Sequence, residues 1–429
     1  MKILVIGSGY VGLTVAVGFA SFGFNVIGYD IDSIKIENLR NGILHIEEPK
    51  LDYLFKQLRD NIHFSNDLKA SISLADVIFV SVSTELVNGE IDLSNFYSAM
   101  KMLFEAIESR KLIVIKSTVP VGTTGIVRKM FESKFGEKVK VAVNPEFLRE
   151  GHAIEDFLNP DRIVLGVEDK YAEEILLDLY KNINAPKIVV NFRTAEMIKY
   201  ASNAFLATRI SFINEIANIC ELYNIDVDQV AKGIGLDKRI GPHFLKAGIG
   251  FGGSCLPKDL KTLIDIAQEQ KYKAKLLESA YRLNEKQIER FVKKITSTEV
   301  GKIKEVGVWG LSFKGGTDDT RESPAIKVIK ELLKDNYEIS VYDPKALENA
   351  RKELGDKVKY AKDYIEAVYN KSAVLVLSDW KEFLSFDLEK VYKLMKAHYF
   401  FDGRNLFNPK EVISKGFIYY GIGRIFDKC

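Results

Sequence analysis

One of the chain's three cysteines stands in the stretch GIGFGGSCLPKDL, residues 248–260. Glycines at 248, 250, 252 and 253 suit a loop that comes close to a ligand. Lys258 and Asp259 open a predicted helix, PKDLKTLIDIAQEQ, in which Pro257 takes an early helical position. Cys255 then falls beside a helix N-terminus and a lysine, and both favour thiolate, the nucleophilic form. The plainer alternative is a small side chain filling space. Cys220 sits among apolar residues and reads as core.

A second set of residues reads a cofactor. Gly7, Gly9 and Gly12 form G-x-G-x-x-G directly after the apolar run ILVI and before a helix that begins near Tyr10. The first glycine permits the tight turn, the second lets a pyrophosphate approach the backbone, and the third allows close helix–strand packing. The helix start aims unpaired N–H groups at the phosphates. NVIGYD supplies the next strand and ends in Asp30. A carboxylate there accepts bonds from ribose hydroxyls and repels a 2′-phosphate, so NAD is favoured over NADP. Lys35 is near enough to contact ribose or phosphate.

A nicotinamide together with a nucleophilic thiol points to one kind of chemistry. Loss of hydride turns an alcohol into an aldehyde, a thiolate adds to give a thiohemiacetal, and a second loss of hydride leaves a thioester that water can hydrolyse. An ordinary alcohol dehydrogenase needs no such cysteine.

Other polar residues stand where a site would need them. Thr84 and Thr118 follow the strands ADVIFVSVS and KLIVIKSTV, and each fits either a helix cap or a ligand contact. Glu146 and Glu150, in VAVNPEFLREG, are four apart and would share a face if that segment is helical. Lys199 and Asn203 also share a helix face. Taken alone, that pair is as simply a lysine beside an asparagine on a surface.

The elements that must hold these groups are legible as three regions. Residues 1–192 alternate strands and helices around the glycine motif. Residues 193–224 lack proline and glycine and repeat apolar side chains at helical spacing, predicting a long amphipathic helix with Thr194 at its cap. Such an apolar face must pack on something. From residue 299 to 429 the first pattern recurs: EVGVWG, YEISVYDP and SAVLVLSDW echo the front strands, without a complete glycine motif. The fold class is therefore α/β, two doubly wound Rossmann-like domains joined by a long central helix, with residues 193–298 as the central region. Lys314 and Arg321, after the first strand of the third region, are suited to phosphates or carboxylates.

Composition narrows the partners. The chain has 429 residues, a formal charge of +2, and 47% hydrophobic and 28% charged residues. That balance gives no reason to expect nucleic acid or an anionic membrane. Three dispersed cysteines and five histidines show neither a disulfide framework nor a metal motif. The run MKILVIGSGY is too short and too glycine-broken for a signal peptide, and the expected setting is the cytoplasm.

The motifs GSGYVGL, KSTVPVGTT, NPEFLREG, KYASNAFLATRISFINE, RIGPHFLKAGIGFGGSCLPKD, FKGGTDDTRES, FDGRN and YYGIGR occur in the order found in one family. Across nearly its whole length the chain resembles the nucleotide-sugar 6-dehydrogenases, the UDP-glucose/GDP-mannose dehydrogenase family. The resemblance implies a four-electron, NAD-dependent oxidation, most closely that of UDP-glucose to UDP-glucuronate. It makes Cys255 the nucleophile, with Lys199 and Asn203 stabilising oxygen charge. Asp259 and Thr118 would handle the hydrolytic water, and Glu146 would be an acid/base. For NAD it implies Gly7, Gly9, Tyr10, Val11, Gly12, Asp30, Lys35, Thr84, Thr118, Glu150 and Arg321. For the nucleotide sugar it implies Phe147, Leu148, Glu150, Lys199, Asn203, Phe244, Phe251, Gly252, Lys314 and Arg404. Arg239 would reach the partner's site across a homodimer.

One departure is Ser83-Thr84, where members often have Thr-Pro. Members that act on N-acetylated sugars typically carry histidine before the cysteine, where this chain has Ser254. Enzymes of GDP-mannose share GGSCLPKD. A two-electron hydroxyacid dehydrogenase, or an NAD-binding scaffold, is the more distant alternative.

Overall fold

The computed structural model describes residues 1–87 and 89–424; Cys429 lies outside the described residues. The chain forms two compact units, Met1–Ser202 and Asn203 onward.

In the first unit the β-branched runs become strands: β1 (Lys2–Ile6), β2 (Asn25–Tyr29), β3 (Ile62–Ser65), β4 (Val77–Val80), β5 (Lys111–Ile115), β6 (Val139–Val143), β7 (Ile163–Gly166) and β8 (Lys187–Val190). Their order across the sheet is β8-β7-β6-β5-β4-β1-β2-β3. The first six are parallel in the doubly wound order 3-2-1-4-5-6, and β7 joins β6 antiparallel. Successive residues point to opposite faces, so Ile3 and Val5 enter one core while Leu4 and Ile6 enter another. A sheet covered on both faces needs such unbroken apolar strands.

The second unit repeats the plan. Strands β9 (Glu305–Trp309), β10 (Glu338–Tyr342), β11 (Lys359–Tyr360), β12 (Ala373–Val376), β13 (Tyr399–Asp402) and β14 (Ile418–Tyr420) lie in the order β11-β10-β9-β12-β13-β14, all parallel. That is again 3-2-1-4-5-6. Val306 and Val308 share one core with Ile213, Ala217, Ile249 and Phe291, so the central segment packs on this sheet.

Helix α1 (Tyr10–Ser21) follows the glycine motif, and α2 (Phe192–Tyr223) is the long helix expected from sequence. Its first-turn donor Thr194 N bonds to Asn191 Oδ1 at 2.9 Å. The capping side chain is therefore Asn191, three residues earlier than expected, because the helix starts sooner. Helix α3 (Leu256–Glu269) begins after Cys255 with proline in its first turn, and α4 (Lys275–Thr296) follows. Cys220 is buried, as its apolar neighbours implied.

Candidate active site

The glycine motif folds as its spacing requires. Gly7 has φ +93°, and a Cβ there would meet Ser81 O at 2.7 Å. A Cβ on Gly12 would stand 1.8 Å from Gly7 O, so strand, turn and helix touch backbone to backbone. At Gly9 a Cβ would meet nothing within 4 Å, and Gly9 caps α1 without a side-chain bond. The open space lies where a pyrophosphate would approach donors of the first turn. Asp30 Oδ2 accepts from Ser8 N at 2.8 Å, which holds the carboxylate beside that turn. Asp32 caps the next helix, accepting from Ile34 N and Lys35 N. These residues fit a bound NAD, which would serve as the hydride acceptor.

The Thr84 hydroxyl donates to Thr118 O at 3.0 Å, so it ties two strand-end loops together and caps no helix. Further along that loop, the buried Glu196 carboxylate accepts from Gly122 N at 2.6 Å and Thr124 N at 2.8 Å. Burial raises its pKa, and the backbone donors oppose that.

Residues 144–149 are irregular, so the helical condition under which Glu146 and Glu150 would share a face is not met. Asn144, at the end of β6, is locked by side-chain bonds, and the loop leaves the strand there. Glu146 is buried and accepts from Lys199 Nζ at 2.7 Å and Leu148 N at 2.6 Å. Phe147 lies under the Arg162 guanidinium, 3.8 Å from its centroid, with Lys199 Nζ at 5.5 Å. Just past Glu150, the buried Glu48 accepts from Gly151 N at 2.7 Å and Ala153 N at 2.8 Å.

In the second unit Cys255 is the residue that caps α3. Its Sγ lies 3.5 Å from Ser254 Oγ. One turn on, Asp259 is fully buried; its Oδ2 accepts from Asn203 Nδ2 at 2.6 Å and its Oδ1 from Lys258. The cysteine thus shares a helix end with a carboxylate, an ammonium and a carboxamide.

The loop before Cys255 is held through its backbone. Asn284 on α4 takes Phe251 N at 2.8 Å and gives to Phe251 O at 3.0 Å. Gly248 N donates to Asn214 Oδ1 at 2.9 Å, and Gly253 N to Arg321 O at 3.0 Å. Gly253 has φ +83°, and a Cβ on Gly252 would lie 2.3 Å from Glu322 O. Gly252 is therefore demanded by close backbone contact, and Gly253 by its left-handed φ and the Phe313 ring beside it.

Arg404 donates to the carbonyls of Leu377, Gly250 and Phe313 at 2.9, 2.8 and 2.6 Å. Its guanidinium staples three loops, including the glycine loop. Arg321 forms a paired contact with Asp319, and Lys314 Nζ sits 5.4 Å from the Phe313 ring centroid. Phe244 has φ +59°. Arg239 is exposed and pairs with Asp237.

The three regions of the chain match three domains of one family in order. Residues 1–184 match the NAD binding domain of the UDP-glucose/GDP-mannose dehydrogenase family, 193–286 its central domain, and 307–409 its UDP binding domain. The chain belongs to the UDP-glucose/GDP-mannose dehydrogenase family. It is similar to UDP-glucose 6-dehydrogenase TuaD of Bacillus subtilis, with 45% identity over 99% of this chain and 93% of that protein. Among solved structures it is similar to a UDP-glucose dehydrogenase from Pyrobaculum islandicum, at TM-score 0.90 and 36% identity over 99% and 98% of the two chains. It is also similar to a UDP-D-ManNAc dehydrogenase from Pyrococcus horikoshii, at TM-score 0.88 and 30% identity over 99% of each.

This member of the family is an NAD-dependent enzyme. Among the described residues no helix is long and apolar enough to cross a membrane, and no His, Cys, Asp and Glu group could hold a metal. Reading the sequence missed Lys116, Asn144, Glu48, Glu196 and Asn284, buried polar residues that pin backbone or side chains in or near the segments carrying the named residues. Lys116 left one signal, a charged residue directly after the apolar run Leu112–Ile115 of β5. The others are ordinary polar residues whose partners lie far away in sequence.

Proposed function

We propose that the enzyme oxidises UDP-glucose to UDP-glucuronate, using two NAD and one water, through a covalent bond to Cys255. The observation that carries this is Cys255 at the start of α3, in one turn with Asp259 and its partner Asn203. The similarity to proteins named for UDP-glucose supports the choice of sugar.

The sugar's C6 alcohol loses hydride and a proton to become an aldehyde. The Cys255 thiolate adds to that carbon, and the oxygen takes up negative charge. The Lys199 ammonium and the Asn203 carboxamide suit that charge, as donors aimed at a developing oxyanion. Hydride leaves the thiohemiacetal, giving a thioester. Water, positioned by Asp259 and Thr118, attacks the carbonyl carbon, and the C–S bond breaks to release the carboxylate and the thiol. Glu146, bonded to Lys199, is assigned to hold a proton of the reacting hydroxyl. Gly7, Gly9, Tyr10, Val11, Gly12, Asp30, Lys35, Thr84, Glu150 and Arg321 are assigned to NAD. Phe147, Leu148, Phe244, Phe251, Gly252, Lys314 and Arg404 are assigned to the nucleotide sugar, Arg404 by shaping the loop.

A homodimer completes the reading. Phe205, Phe212 and Ile219 recur every seven residues along α2, with Phe205 61% and Phe212 49% exposed. A stripe of this kind fits a second copy of itself. Arg239 is the residue assigned to the partner's site.

The test is a screen of UDP-glucose, GDP-mannose and UDP-N-acetylhexosamines for NADH formation. UDP-glucose should be preferred, with two NADH per sugar. One NADH per substrate would indicate a two-electron dehydrogenase, and another preferred sugar would reassign the substrate.

A further inference from the structure

Lys116 follows β5 and is only 6% exposed. Its Nζ donates to Asn144 Oδ1 at 2.8 Å, and the Tyr180 hydroxyl donates to the same oxygen at 2.6 Å. Asn144 Nδ2 donates to Val164 O at 2.8 Å. The carboxamide is therefore oriented from both ends and presents its oxygen to the lysine. Tyr180 keeps its proton, since burial raises its pKa.

Glu146, two residues beyond the Asn144 that holds Lys116, and its partner Lys199 are the charged groups whose field acts on Lys116. Those two already pair with each other at 2.7 Å. Two buried amines thus share one carboxylate, and only Lys199 touches it in a direct ion pair. Lys116 has a neutral amide oxygen and the field of Glu146. A buried ammonium so placed, without a direct ion pair, is pushed toward losing its proton. Burial pushes its amine down to about 7, with Glu146 opposing the shift and Lys199 adding to it.

We propose that Lys116 is a positioning residue for the Glu146–Lys199 pair, setting the charge of that buried cluster by holding or losing its own proton. This rests on the proposed function. With Lys116 protonated the three groups carry one net positive charge, and a further proton from the sugar hydroxyl is resisted. With Lys116 neutral the pair is balanced. As the O–H bond breaks, the proton passes to the Glu146 carboxylate, the three groups then carry one positive charge, and the proton leaves to solvent between turnovers. The lysine touches no reacting atom; it acts through Glu146 and Lys199.

The test is kcat against pH, at saturating sugar and NAD, for the wild type and Lys116→Met. The wild type should show an acid limb centred near neutrality, with about tenfold more activity at pH 8 than at pH 6. In Lys116→Met that ratio should fall below about twofold, with KM for both substrates changed by less than about threefold. A flat wild-type profile, or a variant profile that superimposes on the wild type, overturns the proposal. A measurement on the wild type alone covers a variant that does not fold: the Cε resonances of 13C-labelled lysines followed over pH. One lysine should titrate near neutrality; if every lysine stays protonated to about pH 9, the proposal is wrong. Should no nucleotide sugar be turned over, the proposed function falls while this titration still decides the state of Lys116.

Discussion

Asn203 Nδ2 reaches Asp259 Oδ2 at 2.6 Å, and so α2 and α3 are bonded where the cysteine's helix begins. Lys258 takes the other oxygen of the same carboxylate. An ionised acid buried this deeply depends on such donors. Asn203→Ala should lower kcat by roughly 10²–10³-fold and cost about 1–3 kcal/mol of stability. Steady-state NADH formation and thermal melting measure the two effects; an unchanged kcat would remove Asn203 from the chemistry.

Cys255→Ser keeps the helix cap position and removes the good nucleophile. In the proposed reaction the second oxidation passes through the sulfur-bound intermediate, so NADH per sugar should drop from two to one or none. Product analysis by mass should find no uronate. Normal acid formation by this variant would refute covalent catalysis.

Two glycines separate folding from binding. Gly252→Ala places a methyl 2.3 Å from Glu322 O and 2.7 Å from Pro324 Cδ, and should cost about 1–3 kcal/mol. Gly9→Ala meets nothing within 4 Å, at an ordinary negative φ. Its melting temperature should stay put while KM for NAD rises by tenfold or more, on the order expected for blocking the backbone approach to a pyrophosphate.

The exposed stripe on α2 predicts assembly. Phe212→Glu should shift the protein from dimer to monomer in sedimentation, since the charge would face an apolar partner surface. If Arg239 serves the partner's site, the monomer should also lose turnover.

Lys116 ties stability to pH. Its folded value of about 7 lies below the ordinary 10.5, so the unfolded chain binds more protons between those values. Its burial cost is therefore fully present below pH 7 and is relieved as pH rises from 7 toward 10.5. Lys116→Met should be more stable than the wild type at neutral pH by about 1–4 kcal/mol, with the difference shrinking as pH rises. Denaturant melts at pH 6.5 and 9 test the sign.

The sheets, the long helix and the glycine turn were legible because their signals are local. Apolar runs of β-branched residues, a 3.6-residue repeat and a motif at fixed spacing depend on neighbours in the chain. The arrangement of Glu146 and Glu150 was left conditional on a helix for a related reason. Spacing alone cannot show that Glu146 is drawn to Lys199, 53 positions away, and that its own carboxylate takes Leu148 N. Glu48 and Asn284 were missed likewise, since their partners are 103 and 33 positions distant.

Asp30 and Asp343 show where the division falls. Both end the second strand of a doubly wound sheet, and the sequence alone makes them equivalents, in NVIGYD and EISVYD. The turns beside them also match: Gly7 N bonds Tyr29 O and Gly310 N bonds Tyr342 O, each at 2.8 Å. The amino-acid order determined those two frames, the cofactor loop and the cysteine's place at a helix start, because each follows from residues adjacent in the chain. Tertiary structure decided what each acid does. Asp30 is 9% exposed at an open turn, whereas Asp343 is 1% exposed and accepts from Leu311 N, Ser312 N, Lys345 N, Ala346 N and Trp380 Nε1. A carboxylate with its lone pairs spent on its own fold has none left for a ribose, and only packing between distant segments determines how those lone pairs are spent.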